Sequence, residues 1–273
     1  MFHFARWVGS VKIKRLPKIR TLILACLSAA LTLCAAARAE SLELSEQELA
    51  DVSGQGLTIL SNSSYNGLDF SRITLNADLT LNVNFKNIVL GQYNYAPNNG
   101  LGADINMPAL QFGRSDGTAA QRLVQISNPY LEFVYDNTAG AGNNKMLGLR
   151  VGFDGISGDI GMRLASLSGS MLVDGGAAGI LDSNAGSGKR WDGSCPTGGS
   201  GCLAMSQLGG VTAGNAAGPS RDFWISMLSA PVQFQGAAGM AQPALAQSGA
   251  WMNFRDRLTA IVGALPPNLA LGR

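Results

Sequence analysis

The sequence predicts an exported, mainly β domain: an antiparallel sandwich or meander, with an elongated or solenoid-like form as a variant. A short N-terminal helix and a C-terminal helix accompany it. Three observations predict this. Residues 1–39 have the layout of a secretory signal. From Ile73 onward apolar and polar residues alternate with period two, as half-buried strands require. Glycine is abundant, 35 of 273 residues, and clusters between the alternating runs, where turns are needed.

The export signal comes first. Arg6, Lys12, Lys14, Arg15, Lys18 and Arg20 precede the apolar run Leu22–Ala37, and no acid appears before Glu40. Ala37-Arg38-Ala39 is a small-x-small processing site, so cleavage is expected between Ala39 and Glu40. The apolar run is shorter than the ~20 residues of a spanning helix. Cys26 and Cys34 make poor lipidation sites, one lying too early in the run and the other following the large Leu33. Sec-type export machinery and signal peptidase are therefore the expected first partners. The destination is the periplasm, the outer-membrane surface or the exterior. The leader holds seven of the 20 Lys and Arg residues and none of the 18 Asp and Glu, leaving a mature charge of −5. An acidic mature chain argues against nucleic acid as a partner.

The second segment, residues 40–56, reads as a capped helix motif. Ser45 can cap the backbone N–H of Glu48, and Glu48 can reach back, as in a capping box. Leu44 is placed to staple on Leu49. Leu49 and Val52 form a small apolar edge, and Gly54 suits the position after a helix end. A helix of two turns is too short to stand alone, so it needs a surface to dock on. The run Leu44-Ser45, Glu48-Leu49, Val52-Ser53-Gly54-Gln55 resembles a motif near the mature N-terminus of exported Gram-negative proteins. Many of these are uncharacterised, and some are labelled pilus-assembly or fimbrial-type. A weaker resemblance runs from Asn128-Pro129-Tyr130 into Leu149–Val173. The resemblance implies surface or pilus-assembly partners, or self-association, and implies no activity for particular residues. The whole span Leu44–Gln55 also looks like a double-glycine leader with Gln55 in place of the second glycine, which would mean a second cut near Gly54.

Residues 57–273 are expected to form a single β-rich domain. Ile73, Leu75, Ala77, Leu79, Leu81, Val83 and Phe85 alternate with polar neighbours, which as one strand would span about 45 Å. The apolar set then moves to Ile88 and Leu90, so Asn87 marks a candidate bulge. Leu110–Phe112 reads as a short strand. Leu123–Ser127 and Leu131–Tyr135 read as two runs parted by Pro129, which cannot donate to a ladder. Leu147–Val173 is a second β block with a loose 11-residue repeat, Ile156–Ile160 against Leu167–Met171.

Residues 174–219 are rich in Gly, Ala and Ser and read as a low-complexity surface insertion with little core. Cys195 and Cys202 lie inside it. In an oxidising compartment they should pair. Phe223–Leu228 is almost wholly apolar and reads as a strand buried on both faces. Trp251–Gly263 places Met252, Phe254, Leu258, Ile261 and Val262 on much of one helical face, with Arg255, Asp256 and Arg257 outside.

The chemistry that this sequence fails to support narrows the function. His3, the single histidine, leaves with the leader. A Ser-His-Asp triad and a histidine metal site are therefore excluded from the mature chain. Gly188-Lys189-Arg190 lacks the pattern of a phosphate-binding loop. Asp182-Ser183-Asn184 opens like a calcium loop without its closing glutamate. No catalytic, cofactor-binding or metal-ligating residue is assigned, and no cofactor is expected. The first expectation is a non-enzymatic cell-surface, fimbrial or extracellular structural component, or an assembly factor. The alternative is a periplasmic or extracellular binding module for glycan or protein, using Tyr93, Tyr95, Trp191 or Trp224. A hydrolase built on carboxylates such as Asp154 and Asp159 is a third reading. A small outer-membrane barrel is a fourth, and Arg273 after Pro266-Pro267 argues against it.

Overall fold

The computed structural model of the protein describes residues 56–94, 102–138, 144–183, 193–195 and 201–265. Ala37, Ala39, Glu40 and the motif from Leu44 to Gln55 lie outside the described residues. The described part is mainly β. In chain order its strands are β1 (Thr58–Tyr65), β2 (Leu68–Leu75), β3 (Asp78–Leu81), β4 (Val83–Tyr93), β5 (Gly102–Phe112), β6 (Val124–Asp136), β7 (Lys145–Arg163), β8 (Ser166–Leu167), β9 (Gly169–Asp174), β10 (Ile180–Asp182), β11 (Leu208–Ala213), β12 (Phe223–Leu228), β13 (Gly249–Phe254) and β14 (Leu258–Val262). They join in one mixed sheet. Strand pairs are antiparallel except those of β9 with β13 and β14, which are parallel and depart from the all-antiparallel expectation.

The 19-residue β7 is the axis of this sheet. Along one edge it pairs first with β6 and then with β5. Along the other it pairs with β12, bridges Ser220 through Ile156, and then pairs with β11. The second flank is interrupted between its Phe153 and Gly158 pairs, and the first between its Ser157 and Ile160 pairs. Gly158, at a φ of +119°, stands at that break, where an added Cβ would lie 2.7 Å from the carbonyl of Leu123. Only glycine adopts such a backbone at low cost. Further pairings close a circuit through β7, β11, β14, β9, β13 and β12.

The long alternating run at Ile73–Phe85 is β throughout but is not one strand. Phe70 and Thr74 face inward in β2, whereas Leu79 and Leu81 are the half-buried residues in β3. Against β6 the register shifts by one residue between the Thr74↔Tyr130 and Asp78↔Ser127 pairs. That insertion moves the inward face from even to odd residues. Pro129 lies at the level of this break and pairs with Phe153 of β7, and β6 runs through it instead of ending there. Asn87 is not an inserted residue. It adopts a φ of 56°, while β4 keeps the same register against β5 on both sides of it.

Two expectations are corrected. Trp251–Gly263 is not a helix: β13 and β14 occupy it, joined by a turn at Arg255–Arg257. Five of the six residues of β13 are buried, so no polar alternation marks it as a strand. The Gly/Ala/Ser-rich stretch is not merely a surface insertion. Its described part supplies β10 and β11 and buries Leu181, Leu203, Met205, Leu208 and Val211. Cys195 and Cys202 form a disulfide with Cα atoms 5.8 Å apart.

Two hydrophobic clusters lie on the two faces of β13. Ala250, Met252 and Phe254 join Ile105, Ile126, Ile156, Leu167 and Met171 in the larger one. Trp251 joins Phe70, Tyr130, Val134, Trp224 and Leu228 in the smaller one. Val232, Phe234 and Ala246, from the irregular stretch between β12 and β13, cover the smaller cluster. That cover also walls the candidate site.

Candidate functional site

The ladders of β2, β6, β7 and β12 set side chains in rows, because residues paired across strands share a face. One inward row reads Arg72, Glu132, Arg150, Ser226. The next reads Thr74, Tyr130, Gly152, Trp224. Two cations therefore flank one carboxylate on this face. Arg72 Nε donates to Glu132 Oε1 at 2.8 Å. Arg150 Nε donates to Glu132 Oε2. Glu132 and Arg150 are each about 4% exposed.

Aromatic rings hold the guanidiniums. Arg72 lies over the Tyr130 ring at 3.9 Å, and Arg150 lies 4.3 Å from the Phe234 centroid and 5.5 Å from that of Trp224. Such contacts offset part of the cost of burying a cation. Gly152 makes room for this packing. An added Cβ there would lie 2.5 Å from the Tyr130 hydroxyl and 2.4 Å from the carbonyl of Phe223.

The row opens on a cleft of about 570 Å³. Arg72, Glu132, Arg150, Asp154, Arg221 and Asp222 supply its charges, and Ser61, Ser63 and Gln235 supply neutral polar groups. This volume lies in the range of small-molecule sites. Asp222, at a φ of 59° just before β12, accepts from Trp224 Nε1 at 3.2 Å and from Asn253 Nδ2 at 3.1 Å. Burial raises its pKa above the ordinary carboxylate value, against the lowering pull of Arg150. Burial also pushes the Tyr130 hydroxyl up to about 12, although Arg150 and Arg72 favour its anion. Burial lowers the affinity of Arg72 for its proton, but Glu132, Tyr130 and Asp154 outweigh this and the net shift is upward. At neutral pH the tyrosine is a hydroxyl and the guanidinium is charged.

The opposite face of the same strands has the reverse polarity. Leu60, Ile73, Leu131, Val151 and Ile225 form one cross-strand row, and Phe133, Leu149 and Met227 form the next. Leu60 is 77% exposed and Val151 47%. β1 carries no partner on its outer edge among the described residues.

Of the residues that the sequence points to, Trp224 is fully buried and forms part of the wall behind Arg150, not an exposed loop aromatic. Tyr93 is exposed at the end of β4, away from the cleft lining, and Tyr95 and Trp191 lie outside the described residues. Asp154 and Asp159 both lie within β7. Asp154 reaches Arg72 at 3.6 Å in the cleft, whereas Asp159 accepts from Thr212 at 2.6 Å elsewhere. Sequence reading misses the Arg72–Glu132–Arg150 row. The available signal is a lone charge inside an apolar β run, once as Leu131-Glu132-Phe133 and once as Leu149-Arg150-Val151, with opposite signs.

No protein-family model matches the chain, and no curated protein or solved structure matches it either.

Proposed function

We propose that this chain is exported by a Sec-type route and acts, without catalysing a reaction, at the cell surface. It serves there as a fimbrial or extracellular structural component or as a factor in its assembly. The observation that carries this reading is the set of exposed apolar side chains on the outer face of these strands, Leu60, Ile73, Val151 and Met227. Contiguous exposed apolar surface marks an interaction site, and a long unpaired edge such as β1 is a template for strand addition. The resemblance of Leu44–Gln55 to pilus-assembly and fimbrial-type proteins and the layout of residues 1–39 point the same way. A sandwich-like layering, with β13 between two clusters, is the finer architecture favoured by the core.

The partner is a second copy or another surface protein of matching apolar character. Val151→Asp combined with Met227→Asp is the test, since both side chains are half exposed. Sedimentation of the exported chain should show assemblies that the double variant loses while its thermal midpoint stays within a few degrees. A wild-type monomer at all concentrations, with no surface partner captured by cross-linking at this face, overturns the reading. Solubility that depends on detergent would favour the outer-membrane barrel, whose strands also turn apolar residues outward and polar ones inward.

A second reading, a periplasmic or extracellular binding module, is favoured by the charged cleft between Arg72 and Asp222.

A further inference from the structure

Among the described residues the sheet ends on β1, and the hairpin that forms β1 decides which peptide groups this edge offers. Asn66 and Gly67, at φ of 51° and 74°, join β1 to β2, and Tyr65 pairs with Leu68. A two-residue turn of this kind is closed by a hydrogen-bonded pair. Such pairs recur at every second residue, so Tyr65, Ser63, Ser61 and Ile59 direct their N–H and C=O groups to β2. The Asn76 N–H, which donates to the carbonyl of Leu57 at 2.8 Å, continues the same series. Thr58, Leu60, Asn62 and Ser64 therefore aim their peptide groups away from the sheet, and all four are exposed.

β1 lacks the devices that discourage pairing at an edge. It holds no charged residue and no proline, and its register against β2 is unbroken. β4 differs. It pairs only with β5 among the described residues, but it carries Lys86 and positive φ at Asn87 and Gly91.

The sequence of β1 suits a second copy of itself. In an antiparallel two-fold pair centred on Ser61, Thr58 meets Ser64 of the second copy and Leu60 meets Asn62 of the second copy. Every outward N–H and C=O of both strands is then bonded. A pair centred on Leu60 leaves Ser64 beyond the strand of the second copy, and one centred on Asn62 sets Thr58 against the turn at Asn66. Uncharged strands also bring no like charges face to face. On the outer face, Leu60 lies diagonally across from Leu60 of the second copy, within side-chain reach. The exposed Leu60 and Ile73 of both copies thus join into one apolar surface.

We propose that β1 is a self-association edge, through which two copies pair antiparallel over residues 58–64 about a two-fold axis at Ser61. This inference rests on the surface-assembly reading and names a second copy as the partner.

Sedimentation equilibrium of the exported chain should show monomer and dimer in exchange. Asn62→Pro should raise the dissociation constant at least tenfold while the thermal midpoint stays within a few degrees, because the N–H it removes points off the sheet. Cysteine cross-linking reads the register. Residue 61 faces itself in a non-hydrogen-bonded pair, with Cα atoms about 4.5 Å apart, a separation that a disulfide spans. Under mild oxidation Ser61→Cys should form a covalent dimer at least tenfold faster than Ser63→Cys, whose counterpart is Ile59 of the second copy. Association of Asn62→Pro equal to the parent, or equal cross-linking at 61 and 63, overturns the inference. Assembly lost in Val151→Asp with Met227→Asp but kept in Asn62→Pro would place the contact on the outer face, which sinks edge pairing and leaves the surface-assembly reading standing. A chain that stays monomeric and captures no surface protein sinks both.

Discussion

Glu132→Ala is the perturbation on which the charged row makes its sharpest prediction. The substitution removes the carboxylate shared by two guanidiniums and leaves Arg150 only about 4% exposed, with its Nη1 already lacking a partner. Removing one member of a buried ion pair costs about 3–5 kcal/mol, because the remaining charge cannot be hydrated. Arg72 differs. Its side chain is 27% exposed, it reaches Asp154 at 3.6 Å, and it can take up water when Glu132 is lost. Arg72→Ala should therefore cost about 1–2 kcal/mol, the sum of a partly exposed ion pair and a contact over the Tyr130 ring. In urea, with a slope of about 2–3 kcal/mol per molar, Glu132→Ala should lower the midpoint by about 1–2 M. Arg72→Ala should lower it by about half a molar. The combination Glu132→Leu with Arg150→Met should recover much of the loss, since apolar groups can replace a buried pair. Equal midpoints for Glu132→Ala and Arg72→Ala, or a Glu132→Ala cost under 1 kcal/mol, would refute the argument that burial makes Arg150 depend on Glu132.

Two further outcomes follow from the same site. The folded-state pKa of Asp222 is raised by burial. The native state therefore holds this proton more tightly than the unfolded chain, and the resulting stability is present at low pH and lost as pH rises through the folded value. The stability of Asp222→Asn relative to the parent should accordingly climb as pH rises from the ordinary carboxylate pKa of about 3.9 toward neutrality; a flat difference in denaturation midpoint would contradict this. Gly152→Ala should cost about 1–3 kcal/mol by overpacking and should displace Tyr130, read as a change in near-ultraviolet circular dichroism; unchanged spectra and stability would show that the Tyr130 hydroxyl has space to move.

The sequence carries the β class and much of its placement, because period-two alternation survives wherever a strand has one wet face. Ile73–Phe85 shows both the strength and the limit of that signal. Its residues are strands, but an inserted residue near Ala77 leaves the alternation intact while turning Ile73 outward and Thr74 inward. Local pattern cannot report which face meets the core. At β13 the signal fails for the opposite reason. Neighbouring residues Trp251 and Met252 enter different clusters, so both faces are apolar and the run mimics one side of a helix. The small residues of 174–219 mislead as well. Gly210 lies where an added Cβ would come 2.4 Å from the carbonyl of Ile160, so glycine there is a demand of close strand packing and not a mark of a loop. The disulfide was legible because the sequence, read as that of an exported chain, leaves only Cys195 and Cys202 to pair. The Arg72–Glu132–Arg150 row was not, since its members stand 60 and 18 residues apart and meet only through register.

The claim that the chain is an exported surface protein is tested most directly by fractionating its native host and measuring the intact mass of the chain in each fraction. The account predicts a chain beginning at Glu40, with Cys195 and Cys202 oxidised, in material sheared from the cell surface. A chain that retains residues 1–39 and sits in the cytoplasm would contradict it.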